Sequence, residues 1–297
     1  MPLRSSLLSQ TPILDPAGWR WVRNLWVGAI SAVDEVVIHA SGQPAVLKHM
    51  HAEHRADPGV AARCVNEALI LRHLQSTPAH PGIPRLLAMG LLPDGCPALL
   101  LERLGASLAE RIEPSQRRSN EQGVAFLRHV GAQVAKTLAH VHAHGVVHRD
   151  LRPENILFAA DTAPASRSDP GAAYVIDFGL AKVVHRQIFL PVSTGDEDLL
   201  GTDRYMAPEQ WESAKHVTAA ADVYALGVIL YQLASGQPPF TDERRQVLMY
   251  QHLVTAPAAL PAALPTDLSA LIRSMLAKRP KDRPTAEECS QRLGAGL

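Results

Sequence analysis

The sequence predicts an α+β chain of two lobes, a small β-rich lobe with one main helix followed by a larger, mostly helical lobe. Three observations predict this. Short β-type runs dominate the first third, one helical stripe interrupts them, and beyond residue 105 the apolar residues recur at helical spacing. A chain of 297 residues is long enough for two lobes, each with its own core.

Taken in order, residues 1–19 read as an N-terminal extension, 20–104 as the first lobe and 105–297 as the second. Residues 35–40 and 45–48 are β-type runs, and Ser41-Gly42-Gln43-Pro44 between them carries turn chemistry, which predicts a hairpin. Across 58–74, Val60, Cys64, Ala68, Leu71 and Leu74 fall at helical spacing, and residues 98–101 form an apolar run suited to a buried strand. The lobe boundary is expected between Arg103 and Ser107, where Gly105 follows the strand run. Phe126, Val130, Val134, Leu138 and Val141 mark one face of a long amphipathic helix, and Leu268, Leu271, Ile272, Met275 and Leu276 mark another. Two polar, small-residue stretches stand out, 161–172 and 192–199, the first reading as a surface loop, and no repeat is apparent.

Composition excludes several function classes. Lys plus Arg equals Asp plus Glu at 29 each, so no global field calls for nucleic acid or an anionic membrane. Cys64, Cys96 and Cys289 are few, odd in number and far apart, as suits a reduced cytoplasm rather than a disulfide framework. The first ten residues hold one Arg and too short an apolar run for a signal peptide, and charges or prolines break every later stretch before a membrane span could form. The expectation is a soluble cytoplasmic protein.

The chemistry is carried by two segments, His148-Arg149-Asp150-Leu151-Arg152-Pro153-Glu154-Asn155 and Asp177-Phe178-Gly179. Phosphoryl transfer needs a base for the attacking hydroxyl and oxygen ligands for Mg²⁺, and Asp150, Asn155 and Asp177 supply both. These segments resemble the catalytic and metal-binding loops of protein kinases. Joined by Ala207-Pro208-Glu209, they identify the chain as a member of the eukaryotic-type Ser/Thr protein kinase family, of the kind found in bacteria.

The resemblance implies a two-lobed protein kinase fold using ATP and Mg²⁺. Asp150 would accept or orient the substrate hydroxyl proton, Asn155 and Asp177 would bind the metal, and Arg152 would neutralise the transferring phosphate where relatives carry Lys. Ala45-Val46-Leu47-Lys48 is similar to the strand whose Lys holds the α and β phosphates, with Glu67 as its partner nineteen positions on. His80-Pro81-Gly82-Ile83 resembles the helix-to-strand connection, and residues 99–105 resemble the hinge, where backbone groups of Glu102 and Leu104 would meet the adenine edge. Gly28, Val36, Val46 and Leu157 complete the implied nucleotide site. His148 is assigned to packing beneath Asp177. His140, His142 and His144 lie close together, but no Cys or carboxylate completes a zinc ligand set.

Residues 201–209 resemble the loop that receives a peptide, Asp222-Val223-Tyr224-Ala225-Leu226-Gly227 the start of the helix anchoring the catalytic loop, and Arg283 is placed to pair with Glu209. A small-molecule kinase would have no use for these features, and Thr202 with the Pro-Glu of the catalytic loop favours Ser/Thr over Tyr substrates. Arg149 implies an anion that orders the activation segment: phosphate on Thr194, eight positions before Thr202, or on Ser193, or else the carboxylates of Asp196 and Glu197.

One departure bears on activity. The motif G-x-G-x-x-G-x-V lets backbone amides approach phosphates. Counting back from Val36 puts Ala29, Ser31 and Asp34 at the glycine positions, and starting from Gly28 puts Ile30 and Val33 at the other two. Either register predicts a stiffer loop and weak ATP affinity, with Asp34 repelling a triphosphate unless it turns to solvent. The alternative reading is a pseudokinase acting as a binding or scaffold module. Asn155 and Asp177 lie 22 positions apart, more than is usual in the family, and the excess falls in 161–172.

Overall fold

The computed structural model describes residues 13–55, 57–76, 80–112, 120–160, 171–183, 202–213 and 217–295. Ser193, Thr194, Asp196 and Glu197 lie outside them, as does most of the 161–172 stretch. The chain divides into two compact units. The first takes the described residues up to Ser76 together with Pro84–Arg103, and the second takes His80–Ile83 and the described residues from Leu104 onward.

The first unit is an antiparallel five-stranded sheet in the order β1-β2-β3-β5-β4, with β1 Trp19–Val27, β2 Ser31–Ile38, β3 Pro44–Met50, β4 Leu86–Leu91 and β5 Pro97–Glu102. The predicted hairpin is β2–β3, closed by Ile38 N–H donating to the Gln43 carbonyl at 3.0 Å and Gly42 N–H to Ile38 at 2.8 Å. Gly42 sits at φ 68°, where a side chain would be strained. Pairing sets the two faces of the sheet: Val33 opposes Lys48 and Glu35 opposes Val46, while Asp34 opposes Leu47 and Val36 opposes Ala45. On the second face Leu14, Val36, Ala45, Leu47, Ala98 and Leu100 form the unit's buried cluster. Leu14 is anchored there by its N–H donating to the Leu91 carbonyl at 2.8 Å, so residues 13–19 of the predicted extension are built into this unit, with Trp19 opening β1.

Helix α1, Pro58–Gln75, packs on β3, β4 and β5. Asp57 caps it, accepting from Gly59 N–H at 2.7 Å, and Pro58 fits the first turn because its missing N–H would have no partner there. Of the predicted stripe Ala68, Leu71 and Leu74 are buried and Val60 and Cys64 are half-buried, while Ala62, Val65 and Ile70 join the buried set.

The second unit holds a three-stranded sheet of β6 Leu104–Ser107, β8 Ile156–Ala159 and β9 Ala173–Val175, and a two-stranded pair of β7 Val146–Val147 with β10 Lys182–Val183. Its helices are α2 Leu108–Arg111, α3 Glu121–Ala143, α4 Pro208–Glu212, α5 Ala220–Ser235, α6 Arg245–Val254, α7 Thr266–Met275 and α8 Ala286–Gly294. All five predicted face residues of α3 are buried, as are Leu268, Leu271, Ile272 and Met275 of α7. Helix α5 is buried almost all round, from Ala221 to Ala234, and packs against α3 and α7 at the centre of the unit. A helix without a polar face must lie inside a core. The α3, α5 and α7 layer therefore gives the loops at its ends a rigid base. No helix of the described residues is long and apolar enough to cross a membrane.

Candidate active site

In the first unit, β3 presents Lys48 and α1 presents Glu67, and Lys48 Nζ donates to Glu67 Oε2 at 2.7 Å. Their side chains are 20% and 4% exposed, so an unpaired Glu67 would be a buried charge, and the lysine compensates it. Cys64, one turn earlier on α1, has its thiol pushed up to about 12 by burial, with the Glu67 charge adding to it. Val46 shares the Lys48 face, and Glu35 opposite it accepts from Arg23 Nε at 2.8 Å and lies 3.4 Å from Arg103 Nε. The hydrogen bond from Arg23 outweighs burial and, with both Arg charges, holds the Glu35 carboxyl below its usual range. Glu102 turns its carboxylate to Arg85, accepting from the backbone N–H at 2.8 Å. Leu104, on β6 opposite Ala159, falls in the second unit and is buried.

The strand register corrects the phosphate-loop assignment. The hairpin between β1 and β2 turns at Gly28, Ala29 and Ile30, and it is Val33 that opposes Lys48 on the shared face. Val36 lies on the other face, fully buried beside Ala45, and does not share the Lys48 face. Asp34 is on that other face too, accepting from Asn24 Nδ2 at 3.0 Å and paired with His49 Nε2 at 3.0 Å, which removes the expected repulsion. The retained Gly28 serves the indole of Trp26: a Cβ there would lie 2.0 Å from Trp26 Cη2. Its own N–H is used within the turn, donating to Ser31 O at 2.9 Å.

In the second unit the catalytic-loop segment hangs on Asp222, in the first turn of α5. This fully buried carboxylate accepts from His148 N–H at 2.9 Å, Arg149 N–H at 2.8 Å and His142 Nε2 at 2.8 Å. Burial alone would raise its pKa, but the His142 hydrogen bond and neighbouring charges win and lower it. The bonds hold Arg149 at φ 70°, a left-handed conformation that costs a residue with a Cβ about 1–2 kcal/mol. Burial of the Arg149 guanidinium lowers its pKa, against the Asp222 charge that raises it.

His148 is fully buried and uses both ring nitrogens. Nε2 donates to Ile176 O at 2.9 Å, Nδ1 accepts from Asp150 N–H at 3.3 Å, and the ring meets Phe178 edge-on at 4.9 Å. With both ring nitrogens engaged, the imidazole packs and orients, and neither nitrogen is left over for acid–base work.

Asn155 Nδ2 donates to the Asp150 carbonyl at 2.7 Å and to Asp150 Oδ2 at 3.2 Å, and Asp150 Oδ1 has no hydrogen-bond partner among the described residues. Burial pushes the Asp150 carboxyl up to about 6, with the Asp177 charge adding and Arg152, His148 and Asn155 opposing. Asp177 stands at φ 66°, its Oδ1 accepting from Gly179 N–H at 3.4 Å. The donor set fits Mg²⁺. Asp177 offers a hard carboxylate, and Asn155, with its amide nitrogen occupied by Asp150, has its oxygen left for a ligand role. Arg152 Nε lies 3.4 Å from Glu154 Oε2, and Leu157 lies on β8 between Ser107 and Tyr174.

The peptide-loop region is tied to the same base. Thr202 opens a turn, Thr202–Tyr205, in which Asp203 is buried and accepts from Arg245 Nε at 2.8 Å. Arg283 donates to Glu209 Oε1 at 2.7 Å and Oε2 at 2.8 Å, and to the carbonyls of Ala277, Ala220 and Lys278. Sequence reasoning missed Gln210, whose Nε2 donates to the Arg149 carbonyl at 2.9 Å while its Oε1 accepts from Ala207 N–H at 3.0 Å. Its place directly after Ala207-Pro208-Glu209 is the only signal it gives. His142 was also missed as the Asp222 partner. His140 stacks between His80 and His144 at ring separations of 4.9 and 4.3 Å.

Residues 19–293 match the protein kinase domain family model. The chain is 31% identical over 98% of its length to the Ser/Thr-protein kinase PkaA of Streptomyces coelicolor, and covers 50% of that protein. It is 33% identical over 84% of its length to PkaB of the same organism, covering 56% of it. Over 69% of its length it is 34% identical to the DNA damage-responsive Ser/Thr-protein kinase RqkA of Deinococcus radiodurans, covering 29% of it. The chain thus spans between 29% and 56% of the length of these relatives.

Proposed function

We propose, because this chain belongs to the protein kinase family, that it transfers the γ-phosphate of ATP to Ser and Thr hydroxyls of proteins. The observation that carries this reading is the state of Asp150: Asn155 holds one carboxylate oxygen and the other has no partner among the described residues, as a group that takes or orients a hydroxyl proton requires. Lys48, braced by Glu67, holds the α and β phosphates. The main-chain groups of Glu102 and Leu104 meet the adenine, with Val46 and Leu157 as its apolar neighbours. Asn155 and Asp177 hold Mg²⁺, which when bound neutralises charge on the phosphates. Arg152 adds a planar cation for the transferring group. His148, through Ile176 and Asp150, fixes the two loops against each other.

Preference for Ser/Thr rests on Thr202 and the Pro153-Glu154 pair. The cytoplasm, where ATP and reduced thiols are found together, suits a chain whose three cysteines are all free. Incubating the purified chain with labelled ATP, Mg²⁺ and a generic basic protein tests the proposal. Phosphoserine or phosphothreonine is expected on hydrolysis of the product. Absence of transfer would overturn the enzyme reading in favour of a binding module, and phosphotyrosine alone would overturn the Ser/Thr assignment.

A further inference from the structure

The hairpin tip that stands in the glycine-loop position is fastened by two histidines. His51 Nε2 donates to Gly28 O at 2.8 Å, His54 Nε2 donates to Ala29 O at 3.0 Å, and His51 N–H donates to Ile30 O at 3.1 Å. Three successive carbonyls are thus drawn to the segment after β3. Two-residue hairpin tips ordinarily take primed turns, which need positive φ at central positions and therefore Gly or Asn. Ala29 and Ile30 have no positive φ, and Gly28 O is bonded to an imidazole instead of the amide three residues on that commonly closes a turn.

The orientation of the carbonyls fixes the amides. In a trans peptide the C=O and the following N–H point in opposite directions. With the Gly28 and Ala29 carbonyls held by His51 and His54, the N–H groups of Ala29 and Ile30 point away from that segment, and neither has an acceptor among the described residues. Two adjacent, aligned, unpaired amides form an anion-binding concavity. This is the service glycines give elsewhere by flexibility.

Resting on the kinase reading above, we propose that His51 and His54 are positioning residues for the nucleotide's phosphates, orienting the Ala29 and Ile30 amides as phosphate donors in place of the missing glycines. The weak phosphate binding expected from a glycine-poor loop then belongs to a chain without this pair of imidazoles.

Calorimetric titration with Mg-ATP and with adenosine separates this role from a merely structural one, because adenosine has no phosphate to lose. In the His51→Ala/His54→Ala variant ATP should bind roughly tenfold more weakly, the effect of losing one charge-assisted hydrogen bond or more, with adenosine unchanged within about twofold. His51→Gln/His54→Gln should recover most of the ATP affinity, since an amide nitrogen reaches the same carbonyls. If the double alanine variant does not fold, His54→Ala alone, at a partly exposed site, should still lower the ratio of ATP to adenosine affinity. An unchanged ratio in folded variants, or equal losses for both ligands, would overturn the histidine role alone. A parent chain that binds neither ligand would instead remove the kinase reading on which it rests.

Discussion

Replacing Asp222 by Asn tests whether one buried carboxylate holds the catalytic loop. The carboxylate is fully buried and accepts three hydrogen bonds, from the backbone N–H groups of His148 and Arg149 and from His142 Nε2. Asn offers one oxygen and one NH₂. Whichever way the amide lies, at least one backbone N–H loses its acceptor and faces another donor. An orphaned buried donor costs about 1–3 kcal/mol, and the lost charge weakens the bonds that remain, so a total near 3 kcal/mol is expected. That is a large share of a stability of about 5–15 kcal/mol. The left-handed conformation of Arg149 would lose its support, and Asp150 would be displaced with it. Urea denaturation followed by far-UV circular dichroism measures the first effect, and phosphate transfer under conditions where the variant is folded measures the second. A stability change below about 0.5 kcal/mol, the size of an ordinary surface substitution, with unchanged turnover would refute the reasoning.

Arg283→Lys should cost about 3 kcal/mol of stability, because an ammonium cannot replace the two-pronged bond to Glu209 and three carbonyl contacts made by a fully buried guanidinium. In a double-mutant cycle with Glu209→Gln the combined loss should be smaller than the separate losses together, as read from urea midpoints. His252 is fully buried, accepts from the Tyr224 hydroxyl at 2.9 Å, and is pushed down to about 3 by burial, with the Lys278 charge adding. Its unfolded value is near 6.5, so the unfolded chain takes up the proton first as pH falls. The stability it contributes is complete above pH 6.5, is lost progressively toward pH 3, and is down by about 2 kcal/mol at pH 5. His252→Gln should flatten that slope in denaturation curves between pH 7 and 5. For the activation segment, mass spectrometry of active protein should find phosphate on Thr194 or Ser193, and Ser193→Ala with Thr194→Ala should lower activity. Full activity there, with loss in Asp196→Asn/Glu197→Gln, would assign the anion beside Arg149 to the acidic run.

What the sequence made legible was what leaves a local mark. Turn chemistry at Gly42 announced the β2–β3 hairpin, helical spacing announced α1, α3 and α7, and the segments around Asp150, Asn155 and Asp177 carried the resemblance to protein kinases. The register of β1 and β2 was not legible. With the glycines gone, the tip had no anchor in the sequence, and a small slip in register exchanges the faces of a strand, which is why Val36 and Asp34 were expected beside the phosphates and lie on the opposite face. Bonds between residues distant in sequence were equally hidden. His51 and His54 reach carbonyls 23 and 25 positions away, and Gln210 reaches one 61 away. Each is a polar residue of ordinary appearance, and the partner exists only once the chain has folded.

Asp150→Asn tests the central claim most directly, with nucleotide binding and phosphate transfer measured on the same preparation. Removing the base and keeping the shape should lower turnover by about 10²–10⁴-fold and leave Mg-ATP affinity close to that of the parent. Transfer as fast as the parent's would contradict the account.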